Sequence, residues 1–299
     1  MEILDLRQVR SHHLASLLEE ENRLWREQLR WDYSSSADLI RRFVDARALP
    51  GYAALEEGRA VGYSFFVYED YKGLIGNLFV SGPYSGPTEP RLLTHVIETM
   101  QETPGIRRIE AQLMMFGPGS LEPTFRRERF QTYDRQFMML ELRQAAPYPA
   151  RNVPQAEMAP WHEGYFDEAA TLIVRAYRHH VDSQINDQYR TVSGASRFLR
   201  NIIHYPGCGS FYGPASFLAF HRKTGMLCGL ILTSVVCQDV GHVTQVCVAP
   251  EFHGAGIGYE LMRLGVESFR AARFAAVSLT VTSANLRATL ISTVGALVV

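Results

Sequence analysis

Cysteine is scarce: the 299 residues hold four, Cys208, Cys228, Cys237 and Cys247, with no C-x-x-C pair and no metal-ligand spacing to the ten histidines. This pattern speaks against a zinc site, a redox dithiol or a disulfide-stapled scaffold, and fits free thiols in a reducing compartment. An excess of charge of one sign is missing too. Thirty Lys+Arg against 31 Asp+Glu give a net charge of -1, and no Lys/Arg stripe offers a local field for a phosphate backbone, so nucleic acid is excluded as a partner. Long apolar runs are absent. The longest, residues 226–237, is too short to span a bilayer, and residues 1–10 alternate acids with apolar residues where a secretory leader has a basic stretch and an apolar run. The expectation is a cytoplasmic protein, away from membranes, monomer or homodimer. Against these absences stands an ordinary globular composition, 46% apolar and 20% charged, enough for two cores.

The chain reads as one design written twice. An offset of 168 residues lays 73–90 on 241–258 without a gap, so that Val80 falls on Val248, Tyr84 on Phe252 and Gly86 on Gly254. In both halves a strand (74–80; 242–248) runs through a loop into a helix and then a second strand (108–114; 276–282). Upstream, 53–67 and 218–236 read as hairpins with Gly58 and Gly225 at the turns, preceded by helices at 9–30, 37–48, 165–181 and 193–203. The expected class is α/β (α+β): two tandem domains, each a mixed, mainly antiparallel sheet flanked by helices. Prolines 147, 149 and 154 mark a segment that can neither continue a helix nor pair inside a sheet, giving a first domain at 1–144, a linker at 145–154 and a second domain at 155–299.

The densest signal is the stretch from Val246 to Gly258, Val-Cys-Val-Ala-Pro-Glu-Phe-His-Gly-Ala-Gly-Ile-Gly, which carries a strand into a glycine-rich turn at a helix start. Such a turn converges backbone N–H groups on an anion, and the helix dipole favours negative charge there. The Gly-Lys-Ser/Thr ending of a nucleotide P-loop is absent. The acid that a dinucleotide fold places after the next strand is absent as well: that strand runs on as Thr-Val-Thr-Ser-Ala-Asn285. A tight turn with close helix packing is the alternative reading.

The order strand, Val248 to Gly258, helix, strand, Asn285 resembles the acetyl-CoA site of the GNAT acyltransferase superfamily, over about residues 205–295. The resemblance implies that acetyl-CoA (CoA) is the cofactor, held by the backbone of Val246, Cys247 and Val248 on a strand splayed from its neighbour. It further implies that His253, Gly254, Ala255, Gly256, Ile257, Gly258 and Tyr259 hold the pyrophosphate, and that Asn285 lies near the pantetheine. The first half resembles the same fold without the motif: Thr88, Pro90 and Gly117 stand where Gly256, Gly258 and Asn285 stand in the second. Three departures are visible. His253 occupies a Gln/Arg position, Ser292 stands where the family has a Tyr acid, and little chain follows for a last strand.

The implied reaction is acetyl transfer to a primary amine of a small molecule or peptide, with a non-catalytic acyl-CoA binding or sensing protein as the alternative. His242 is the candidate base, or a surface histidine at a strand start; Ser292 is the candidate acid, with an aliphatic hydroxyl in place of a phenol. Asp182, Asn186, Asp187 and Tyr189 put acids, an amide and a phenol in eight residues, suited to an ammonium; Asp182 or Ser183 as a helix cap is the competing reading. The pairs His12-His13 and His179-His180 point different ways along their helices, and no metal site is expected. The first half is expected to bind no CoA, and to serve instead by closing the acceptor cleft or by completing the second sheet.

Overall fold

The computed structural model describes residues 1–285 apart from 118, 206 and 208. Two compact units divide between Thr132 and Tyr133.

The first unit runs β1 (Glu2–Asp5), α1 (Ser11–Leu29), α2 (Ser34–Asp45), β2 (Gly51–Glu56), β3 (Arg59–Glu69), β4 (Lys72–Val80), α3 (Thr88–Glu102), β5 (Arg108–Ala111) and α4 (Glu122–Arg127). Its sheet has the order β1-β2-β3-β4-β5, antiparallel except for the β4–β5 pair that α3 crosses between. The β2–β3 hairpin turns at Glu57-Gly58, both at positive φ, as a two-residue turn of matching twist requires. The α3 stripe Leu92, Leu93, Val96, Ile97 and Met100 is fully buried against Val61, Ile75 and Leu78.

The second unit comprises β6 (Arg135–Glu141), β7 (Ala156–Pro160), α5 (Phe166–Tyr177), α6 (Asp182–Ile185), α7 (Val192–His204), β8 (Ser210–Phe211), β9 (Phe217–His221), β10 (Leu227–Cys237), β11 (Val240–Val248), α8 (Ile257–Ala271) and β12 (Ala276–Thr282). The sheet order is β6-β12-β11-β10-β9-β7, with β8 against β10 and one parallel pair, β11–β12. One apolar layer joins Ile231, Val243, Leu279 and Val281 to Leu261 and Val266 of α8; the other joins Leu218, Leu230, Leu232 and Cys247 to Ala170 and Ile173 of α5 and Leu199 of α7.

The division between the units falls ahead of the boundary expected at 144. The reason is β6, which pairs along its whole length with β12 of the second sheet, from Glu141 opposite Ala276 to Arg135 opposite Thr282. The proline segment is likewise no free linker. Tyr148 and Val153 are buried in the α8-side core, and a Val153 methyl lies against Gly256.

The repeat carries into the register. Lys72 pairs with Arg108 and Ile75 with Ala111; Val240 pairs with Ala276 and Val243 with Leu279, the same pairs 168 residues on. Each inner strand then has an irregularity at one residue, Gly76 in β4 and Thr244 in β11, again 168 apart.

Candidate functional site

Pairing of β11 with β12 ends at Val243/Leu279, although β11 continues to Val248 and β12 to Thr282. The two strands therefore part, and the backbone along the gap is left to other partners. Ala249 N–H donates to Cys228 O across β10, so by alternation Cys247 and Gln245 face β10 while Val246 and Val248 face the gap. On the far side, Ser283 N–H donates to Asp134 O, so by the same alternation the backbone of Val281 faces β6, and that of Thr280 and Thr282 faces the gap.

The carbonyl oxygens of Val246 and Val248 meet side chains there. The Tyr177 hydroxyl donates to Val246 O at 3.4 Å and accepts from Gln245 Nε2 at 3.1 Å, and His253 Nε2 lies 3.0 Å from Val248 O. Tyr177 is half-buried on the α5 face, and the desolvation of its hydroxyl there holds it well above the usual phenol range. Cys247 is buried on the same face, and burial pushes its thiol up to about 12, so it is no nucleophile.

At the end of β11 a 3-10 turn (Pro250–Phe252) leads through Gly254 at φ +80° and Gly256 at φ +82° into α8. A Cβ would meet nothing within 4 Å at Gly254, and at Gly256 only a Val153 methyl at 3.7 Å. Glycine is needed here for its conformation, since the left-handed region is costly for residues with a side chain. The amides of Gly254, Gly256, Ile257, Gly258 and Tyr259 have no acceptor among the described residues. Ala255 differs: its N–H bonds Phe252 O, and its own carbonyl accepts from Gln155 Nε2 at 2.8 Å. A row of N–H groups without acceptors at a helix start suits an anion with several oxygens. Arg175 of α5 braces the turn from outside, 3.3 Å from Glu251.

His242 lies in the paired part of β11, 6% exposed, with Nδ1 2.9 Å from Ser278 Oγ. Burial, and after it the charge of Arg135, pull its pKa down to about 4, so it is neutral and weakly basic near pH 7, and it is no surface residue. Asp182 is at the gap: Thr282 Oγ1 donates to its Oδ1 at 2.6 Å, and His180 Nδ1 is 3.5 Å from Oδ2. Asn186 does not join it, because its side chain accepts from Gln188 N–H and caps the turn Asp187–Arg190. Asp187 opens that turn, and Tyr189 stacks on Tyr177 at 4.3 Å between centroids with its edge contact on Phe198. Asn285 N–H closes a turn on Thr282 O, and Ser292 lies outside the described residues.

Residues that sequence reasoning passed over are Tyr177, Arg135 and Tyr133. Arg135 reaches across β12, with Nη2 3.5 Å from Thr280 O, and Tyr133 donates to Gln184 Oε1 at 2.9 Å. Only the β6–β12 pairing brings these two to the gap. Among the described residues no cluster of three metal-ligating side chains occurs, and no helix is long and apolar enough to cross a membrane.

Comparison with known proteins adds the following. The sequence model of the acetyltransferase (GNAT) family matches residues 183–290. No curated protein matches. Among solved structures, a GCN5-related N-acetyltransferase from Sphaerobacter thermophilus is 15% identical, with a TM-score of 0.59 over 83% of this chain and 76% of its own. A tandem GNAT protein from the clavulanic acid biosynthesis pathway is 16% identical, with a TM-score of 0.54 over 82% and 78%. A GNAT-family acetyltransferase from Colwellia psychrerythraea is 12% identical, with a TM-score of 0.50 over 97% and 93%. At these identities the likeness is one of fold, and its extent takes in both halves of the chain.

Proposed function

We propose that this chain, whose residues 183–290 match the GNAT family model, is a GNAT-type, acetyl-CoA-dependent N-acetyltransferase whose second unit moves an acetyl group to a primary amine. One observation supports the reading above the others: β11 parts from β12 just where it leads into a helix start with five amides lacking acceptors among the described residues. The anion-binding turn fits a pyrophosphate, and the gap, lined by the backbone of Val246 and Val248, fits an extended chain with amide groups of its own. Acetyl-CoA, when bound, supplies a thioester carbonyl.

The residues here can orient and polarise. Val246 and Val248 N–H groups face the gap and can donate to a carbonyl oxygen as charge develops on it. Desolvation raises the Tyr177 hydroxyl well above the usual phenol range, which suits it to donating a hydrogen bond and disfavours it as a proton source. With acetyl-CoA bound, these donors would hold its carbonyl for attack by an amine, the C–S bond breaking as the C–N bond forms and the proton lost by the amine balancing the departing thiolate. His253 would exchange its bond with Val248 O for one with a phosphate oxygen. The first unit, in this reading, is a degenerate copy without a cofactor site.

Titration calorimetry with CoA tests the cofactor assignment. Gly256→Asp should abolish binding, while Gly256→Asn, equal in size and tolerant of positive φ, should retain at least part of it. Equal affinity in wild type and Gly256→Asp sinks the reading. CoA binding without thiol release in the presence of any amine identifies a binding module, a reading favoured by the low basicity of His242.

A further inference from the structure

Arg135 and Asp182 flank one residue, Thr282, at the mouth of the gap. Arg135 is its cross-strand partner from β6, on the same face of the sheet, and Asp182 is bonded to its hydroxyl. The two differ in origin: Asp182 opens α6, whereas Arg135 is brought in by the strand that precedes the proline segment.

The Arg135 guanidinium does not lean out along β6. Its Nη2 lies 3.5 Å from Thr280 O, a carbonyl that faces the gap, so the cation is carried over β12 toward β11. Its charge registers on His242 of β11, one strand further on. The side chain is nevertheless exposed to solvent. Beneath it the Thr280 hydroxyl oxygen is buried without a partner among the described residues, a polar atom left on the floor of the same face. Asp182 is fixed by Thr282 through its side chain and by His180 through its backbone N–H, which donates to Nδ1 at 3.2 Å, and α6 is tied to the start of β6 through Gln184 and Tyr133.

We propose that the acceptor is a free α-amino acid, its carboxylate held by Arg135 and its amine directed by Asp182 into the gap. This rests on the transferase reading above. A guanidinium offers a planar fork matched to a carboxylate, and an anion within one residue of it accepts an ammonium on the neighbouring carbon. The two charges together disfavour simple polyamines, which would bring a cation to Arg135, and peptide N-termini, which have no carboxylate beside the amine. The side chain of Asn186 is committed to its own turn, and of the acids in this loop it is Asp182 that is bonded to Thr282, beside Arg135.

The test pairs amino acids with their amides and decarboxylated counterparts: lysine, lysinamide and cadaverine; histidine, histidinamide and histamine; tyrosine, tyrosinamide and tyramine. CoA release is followed with acetyl-CoA as donor, and binding of each compound in the presence of CoA is followed by calorimetry. At least one amino acid should exceed its amide and amine by about tenfold or more in kcat/KM. Arg135→Gln should raise the KM of that amino acid about 10- to 100-fold, leave its amide within about twofold, and leave CoA affinity unchanged; Arg135→Lys should recover part of the loss. Amides or amines used as well as the acids, or an Arg135→Gln enzyme that still prefers the acid, overturns the proposal. So does a protein that binds CoA and neither binds nor acetylates any amino acid, with the cofactor reading left standing; failure to bind CoA overturns that reading instead.

Discussion

Glu21 and His242, one in each unit, are buried ionisable side chains that burial moves toward neutrality from opposite directions. Glu21 is fully buried, accepting from Tyr63 Oη (2.6 Å), Asn77 Nδ2 (2.6 Å) and Trp25 Nε1 (3.3 Å), yet burial outweighs these bonds and pushes its carboxyl up to about 7. The folded protein thus prefers the protonated acid. The associated stability is fully present below the unfolded value near 4.5 and is lost as pH rises through about 7. Relative to wild type, Glu21→Gln should gain roughly 3 kcal/mol in unfolding free energy between the acid and alkaline ends of that window; urea titrations across pH would read it, and parallel curves would refute it. For His242 the sign reverses. Its folded pKa of about 4 lies below the unfolded 6.5, so its contribution is present above 6.5 and is lost as pH falls through 4. His242→Gln should flatten the acid limb of the stability profile, and a limb of unchanged steepness would show that other groups set it.

The elements that sequence made legible are those whose signal is local. The β4 and β11 strands, the Gly86 and Gly254 turns and the helices that follow recur 168 residues apart because each is set by a short run of residue types, whereas the single-residue irregularities in the two strands show only in the register. That part of the first 144 residues would complete the second sheet was among the expectations, but not that β6 is the strand, since the pairing of Arg135 with Thr282 is a non-local fact and Arg-Gln-Phe-Met-Met-Leu-Glu names no partner. The Asn186 cap is the opposite case: the residue type admits both a turn bond and a ligand bond, and packing alone decides. The proline segment forms neither helix nor inner strand, as its composition dictates, but a stretch of that kind looks the same in sequence whether it swings free or is pinned. Here it is pinned along α8: Tyr259 Oη donates to Pro149 O at 2.9 Å, the Arg151 guanidinium lies 4.0 Å above the Tyr259 ring, Arg151 N–H donates to Glu260 Oε2 at 3.2 Å, and Arg270 donates to the carbonyls of Leu142 and Ala145. Removing one such bond leaves a carbonyl short of its donor. Tyr259→Phe should therefore cost about 1 kcal/mol of stability, and because this strap braces the first turn of α8, CoA affinity should fall with it. A variant as stable as wild type would mean that Pro149 O is served by water.

Across the whole chain two units share one strand-turn-helix-strand design, and the difference between them that bears on an anion lies at the helix start. Both inner strands part from their neighbours at equivalent pairs, both lead through a 3-10 turn (Gly82–Tyr84; Pro250–Phe252), and both turn at a glycine of positive φ. The first unit then replaces the next three anion-facing positions. Thr88 stands for Gly256, Glu89 for Ile257 and Pro90 for Gly258, which removes one N–H outright. More decisive is where Glu89 points. Its carboxylate is buried and accepts from Gly86 N–H at 2.6 Å and from Ser85 Oγ at 2.5 Å, so the turn of the first unit already holds an anion belonging to the chain itself. A phosphate arriving there would meet a charge of its own sign in the place it needs, with fewer donors to offset the repulsion. One CoA per chain is the expected calorimetric stoichiometry, falling to none in Gly256→Asp, with Glu89→Gln leaving the value at one because Pro90 still lacks its donor. A stoichiometry of two, or residual binding of one CoA in Gly256→Asp, would place a second working site in the first unit and would make the Glu89 carboxylate a displaceable lid over it.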